Sequence, residues 1–151
     1  MPPQWIGGVV PPGARTMHLL VCGTRTFTDY RLLARKLDRF TFWFEHVEVY
    51  VGGRGTRKER NGRWVREGAD WFANQWAEAN WWPRHLYHAD WDTHGKAAGP
   101  RRNAEMVEAV ADRNGHCVAF WDGKSPGTAH AIELARTHLP RGHLKIVRYD
   151  K

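Results

Sequence analysis

The feature that most constrains this chain is an alternation of short apolar runs, several halted by glycine, with stretches of helical spacing. Met17 to Cys22 (MHLLVC) stops at Gly23, Val47 to Val51 (VEVYV) at Gly52-Gly53, and His116 to Trp121 (HCVAFW) at Asp122-Gly123. Arg84 to His88 and Leu144 to Tyr149 read as two further strands. Between the runs, Leu32, Leu33, Leu37 and Phe40 recur at helical spacing, with Thr28 or Asp29 as the cap. Gly68 to Asn80 repeats the pattern through Ala69, Phe72, Ala73, Trp76 and Ala77, and Pro83 closes it. Gly99-Pro100 opens a helix bearing Met106, Val107, Val110 and Ala111, and Thr128 to His138 forms another. Strands alternating with helices predict an α/β fold, a single Rossmann-like three-layer domain with a mostly parallel sheet of about five strands.

Two segments break the alternation. Residues 1–16 hold four prolines and three glycines and read as a flexible tail, leaving 17–151 as the domain. The tail lacks a basic start and a sustained apolar core, so it does not read as a signal peptide. Residues 54–67 show no apolar period and are expected to form a basic loop insertion. It carries Arg54, Arg57, Lys58, Arg60, Arg63 and Arg66 around Trp64. Asp90 to Ala98 reads as a shorter loop.

A net charge of +7 points to anionic partners, and 42% hydrophobic residues point to a folded rather than a disordered chain. Most of the 9 Trp are expected in the core. Trp71, Trp81 and Trp82 could equally supply a homo-oligomer contact. Cys22 and Cys117 lie inside apolar runs and read as reduced core thiols, which implies a cytoplasmic protein. CxxC, CxxH and HExxH spacings are absent, and His85 and His88 face opposite sides of a predicted strand. No metal site and no cofactor are expected. No stretch approaches the roughly 18 apolar residues that cross a membrane, so no membrane partner is expected.

Parallel sheets hold ligands outside the carboxyl ends of their strands, where the strand order reverses. The exits at Gly23, Gly52-Gly53 and Gly123 would converge there. Asp122-Gly123-Lys124-Ser125-Pro126-Gly127-Thr128 leads straight into a helix, whose first amides and dipole favour an anion. Ser125 and Thr128 add hydroxyls and Lys124 a charge, but the spacing is not that of a Walker A loop. Gly23-Thr24-Arg25 has a similar form, with a guanidinium able to fork onto phosphate. Arg101, Arg102 and Asn103 fall in the first turn of the predicted helix, where positive charge opposes the dipole and so suggests an anion nearby.

The ordered set of motifs resembles the YspA/YpsA-related branch of the SLOG superfamily over about Leu19 to Tyr149. The resemblance rests on Gly23 to Tyr30 (GTRTFTDY), Gly52-Gly53, Gly68-Ala69-Asp70, Ala89 to Asp92 (ADWD), Gly95 to Gly99 (GKAAG), Arg102 to Met106 (RNAEM) and Phe120 to Thr128. It implies a Rossmann-like fold and a nucleotide or nucleotide-derived ligand. More distant relatives in that superfamily include the Lonely Guy phosphoribohydrolases, sensors of NAD-derived signals, and the single-strand-binding protein DprA. The chain departs from the family by the stretch 54–67, inserted where the two glycine motifs usually run almost together.

The Lonely Guy pattern PGGxGTxxE places its glutamate at Ala131, and Glu133 lies about 200° around the helix from the expected direction. The RKxxM pattern is matched by Arg102 to Met106 with Asn103 in place of lysine. Asp70, Asp90 and Asp122 are the carboxylates placed to substitute, with Arg102 as a further catalytic candidate. The leading expectation is a protein that senses or sequesters a nucleotide-derived phosphate ligand. Its expected ligand contacts are Gly23, Thr24, Arg25, Gly52, Gly53, Arg102, Asn103, Gly123, Lys124, Ser125, Gly127 and Thr128. The alternatives are a nucleoside-monophosphate N-glycosidase and a module binding single-stranded nucleic acid through 54–67, with Trp64 stacking on a base.

Overall fold

Parallel strands β1 (Thr16–Gly23), β2 (His46–Val51), β5 (Arg84–Leu86), β6 (His116–Trp121) and β7 (Leu144–Arg148) form one sheet in the order β5-β2-β1-β6-β7. The computed structural model describes residues 13–53 and 55–149; most of the expected tail at 1–16, and Arg54, lie outside the described residues. Helices α1 (Tyr30–Thr41) and α2 (Ala69–Ala79) cover one face. The other face is covered by α4 (Ala98–Ala111) and α5 (Pro126–His138). The result is a three-layer Rossmann-like domain.

Burial on both faces explains why the strand sequences are continuously apolar rather than alternating. Leu19, Val21, Val49, Val51 and Phe120 pack against Leu33 and Leu37 of α1 and Ala73 and Trp76 of α2. Leu20, Cys22, Tyr50, Cys117 and Ala119 pack against Met106, Val107 and Val110 of α4 and Ile132 and Ala135 of α5. From β1 the chain moves outward to β2 and β5, then returns to β6 on the other side of β1 and ends at β7. The strand order therefore reverses between β1 and β6, the place where open α/β sheets leave a crevice.

Several boundaries differ from the sequence expectation. Helix α5 starts at Pro126, two residues before Thr128. Helix α4 starts at Ala98, because a 3-10 turn at Gly95–Ala97 feeds directly into it. Pro100 is then the third helical residue, still inside the turn whose amides need no helical partner. Arg101, Arg102 and Asn103 consequently sit in the second turn, which removes the dipole argument for an anion there. Within the expected loop at 90–98, α3 (Trp91–His94) forms behind the Asp90 side chain, whose Oδ1 accepts the Thr93 amide at 3.1 Å. Strand β5 ends at Leu86, so His88 is not a strand residue.

The largest departure is at 54–67, where β3 (Thr56–Arg60) and β4 (Arg63–Glu67) pair as an antiparallel hairpin instead of a loop. Asn61 and Gly62 turn it with φ of 53° and 75°, the positive values that a two-residue hairpin turn requires. The tryptophans also depart from the core expectation. Trp76 is fully buried, whereas Trp43, Trp81 and Trp91 are more than half exposed, as is Trp64, which the sequence reading already sets outside the core on the basic stretch. They lie after a helix end, on the hairpin and at the start of α3, where the sheet offers no apolar face. Among the described residues no helix is long and apolar enough to cross a membrane.

Candidate functional site

The strand exits β1, β2 and β6 bring three kinds of wall to one place. Gly23 ends β1 under tight packing: a Cβ there would lie 2.4 Å from the Phe120 carbonyl oxygen and 2.5 Å from the Ala69 Cβ. This close approach lets the starts of α2 and α5 stand around the end of β1. Between them opens a hollow of two adjoining compartments, of about 300 Å³ and about 410 Å³. Gly23, Arg25, Gly52, Asp70, Trp91 and Arg102 line both.

The first compartment is closed by the start of α5, through Ser125, Gly127 and Thr128. Asp122 shapes that wall by accepting the amides of Lys124 and Ser125, each at 2.8 Å. These bonds hold its carboxyl below the usual range. Ser125 then sits at the N-cap and Pro126 at the first helical position, where a missing amide costs nothing. A Cβ on Gly127 would meet no atom within 4 Å, so its backbone borders open space. Amides at the second and third helical positions have no partner inside a helix, and here they belong to Gly127 and Thr128.

The opposite wall comes from α4. The Arg102 guanidinium donates to the Gly52 carbonyl, and its Nε donates to Asn103 Oδ1 at 3.0 Å. Asn103 Nδ2 donates to the Gly127 carbonyl at 3.3 Å and lies 3.3 Å from His130 Nδ1, tying α4 to α5. The second compartment adds Gly53, Gly55 and His88. Asn74 fastens its glycine turn to α2 by donating to the carbonyls of Gly53 at 2.7 Å and Asp70 at 2.8 Å.

Asp70, in the first turn of α2, is the carboxylate that reaches the hollow. Burial pushes its carboxyl up to about 6, against the opposing pull of Arg102 and Arg25. The other two carboxylate candidates are engaged in local turns. Asp90 caps α3, and its bond with Thr93 lowers its pKa; Asp122 holds the turn before α5.

Of the expected ligand contacts, Gly23, Arg25, Gly52, Arg102, Asn103, Ser125, Gly127 and Thr128 line the first compartment, and Gly53 the second. Thr24, Gly123 and Lys124 stand outside both. Thr24 is buried and accepts the Asp122 amide at 3.2 Å, Gly123 lies against the Arg148 side chain, and Lys124 joins the Asp122 turn. Trp91, a member of the ADWD motif, and His130 also line the hollow and were not among the expected ligand contacts. A helix starting at Pro126 puts His130 and Ala131 one turn beyond Pro126 and Gly127, on the same face, so the signal was present once the start is placed. Ala131, the position of the missing glutamate, does line the hollow, with a methyl group.

Neither a protein-family model nor a solved structure matches the chain. A curated protein does: the Gene 61 protein of Mycobacterium phage D29 is 35% identical over 131 residues, covering 79% of this chain and 88% of the phage protein. With that identity running through most of both chains, this protein belongs to the family of the phage D29 Gene 61 protein.

Proposed function

We propose that the protein binds a nucleotide or nucleotide-derived phosphate ligand in this hollow, as a member of the YspA/YpsA-related branch of the SLOG superfamily. One observation carries the reading: the open start of α5 at Gly127 and Thr128 shares a cavity with the guanidiniums of Arg25 and Arg102, where the strand order reverses. Helix amides and two cations suit a phosphate. In the adjoining compartment Asp70 suits sugar hydroxyls as an acceptor, and the half-exposed Trp91 ring suits a base. The volumes match those of small-molecule pockets.

Calorimetric titration of the full chain with AMP, NAD and ADP-ribose tests this directly. The expected result is saturable binding of at least one of them, weakened by Arg102→Ala. Absence of binding across the set would remove the reading.

Asp70 supports a second reading, an N-glycosidase. A carboxylate whose pKa is raised to about 6 is suited to take a proton from water near neutrality. The water oxygen would bond to C1′ of the sugar, the C–N bond would break, and the base would leave with a proton. Chromatography of incubated nucleoside monophosphates separates the two readings. Released base that disappears in Asp70→Asn, with binding retained, supports the enzyme; binding without release supports the sensor or sequestering protein.

A further inference from the structure

The β3–β4 hairpin carries an exposed aromatic ring among charged side chains. Its register places Arg57 opposite Arg66 and Glu59 opposite Trp64. Cross-strand partners share a face and successive pairs alternate. One face therefore presents Arg57, Glu59, Trp64 and Arg66, and all four are exposed. On the other face Val65 is half-buried and Glu67 buried, so that face is turned toward the body of the protein.

The outward face combines a flat ring with cations. Trp64 is 60% exposed, and the Arg57 guanidinium lies 4.7 Å from its ring centroid. Arg66 sits 5.5 Å from the Trp71 ring, which anchors the hairpin to α2. Neither Arg57 nor Trp64 lines the hollow. An exposed ring backed by one arginine and beside another offers stacking to an unpaired base and charge to its phosphates. A paired base hides its flat face within the duplex. We propose that the outward face of the hairpin binds single-stranded nucleic acid, independently of whatever ligand the hollow takes.

The test is fluorescence anisotropy of a labelled oligothymidylate about 20 nucleotides long, longer than the usual site of one such module, titrated with the full chain. Affinity is expected to fall steeply between about 50 and 200 mM salt as phosphate contacts release counterions. Trp64→Ala and Arg57→Glu are each expected to weaken binding about tenfold, and Trp64→Phe to retain most of it. Arg57→Glu changes a side chain exposed on the outward face, so its melting temperature should hold, separating lost binding from lost folding. Unchanged affinity in both Trp64→Ala and Arg57→Glu would overturn the proposal. Equal affinity for a duplex of the same length, or equal competition by polyglutamate, would do so as well.

Discussion

At the carboxyl edge of the sheet the connecting loops leave a hollow walled by Arg25, Arg102, Asp70 and the start of α5, whereas at the amino edge the loops around the start of β6 close on packed rings. There His116 and His143 stack at 3.8 Å with 10° between their planes, and Phe44 meets His116 edge-on at 6.2 Å. His143 Nδ1 lies 2.9 Å from the Gly115 carbonyl. Gly115 has no room: a Cβ would come within 2.4 Å of the Val110 Cγ1 and 2.5 Å of the His18 carbonyl oxygen. Desolvation acts at both edges, with different outcomes. It pushes His116 down to about 4, leaving a neutral ring as filler, and pushes Asp70 up to about 6, leaving a carboxyl that titrates beside two guanidiniums. The contrast teaches that a connection at a sheet edge can be packed shut, as around His116, or left open beside charged groups, as around Gly23.

The sharpest way to break this comparison is Gly127→Asp. A carboxylate there would occupy the phosphate position, so nucleotide affinity is expected to fall about 100-fold or more by calorimetry. It would also complement the helix start, so thermal unfolding should show stability held or raised by about 0.3–1 kcal/mol. Loss of binding together with loss of stability would contradict the assignment of an open wall.

Next come matched alanines at the two edges. Gly115→Ala is expected to cost about 1–3 kcal/mol through overpacking, with nucleotide affinity unchanged. Gly127→Ala is expected to be neutral or to stabilise by up to about 1 kcal/mol, because alanine fits a helix better and its methyl group has room. Denaturant melts of both variants measure this directly, and equal costs would erase the difference between the edges.

A smaller effect concerns pH. Asp70 has a folded pKa of about 6, above its ordinary value of 3.8, so the proton favours the folded state. Its destabilisation is present above pH 6 and is relieved as pH falls toward the ordinary value. Asp70→Asn is therefore expected to stabilise the protein by about 1–2 kcal/mol near neutrality, with the gain fading toward pH 4. Its advantage over wild type in binding a phosphate should shrink across the same range, as the wild-type carboxyl loses its charge.

The smallest effect runs the other way. His116 has a folded pKa of about 4, below its ordinary 6.5, so stability associated with the neutral ring is lost as pH falls between those values. His116→Phe, which keeps a ring in the stack, is expected to flatten that loss by about 1 kcal/mol in melts taken from pH 7 to 4.

The alternation of apolar runs was enough to read the five-stranded parallel sheet, because strands buried on both faces cannot hide their hydrophobicity. The hollow was legible in part for the same reason: the glycines that stop β1 and β2 mark where the backbone must turn at the carboxyl edge. Choosing among Asp70, Asp90 and Asp122 was not possible from sequence, since all three follow strand exits. Only geometry shows that two of them accept nearby amides while Asp70 meets the cavity. The hairpin was missed because its strands have no apolar face to create a period, yet Asn61-Gly62 is a strong turn signal for two residues joining paired strands. The exposed tryptophans were misplaced because composition counts rings without saying which face of the fold they reach.

The central claim is that the carboxyl-edge hollow, and not the ring-packed opposite edge, receives the phosphate of a nucleotide. Backbone amide chemical shifts followed through a titration with AMP test it most directly. The account expects the shifts to cluster at Gly23, Arg25, Asp70, Gly127 and Thr128, with Gly115, His116 and His143 still. Silence at those hollow residues up to millimolar AMP, or movement concentrated around His116 and His143, would contradict it.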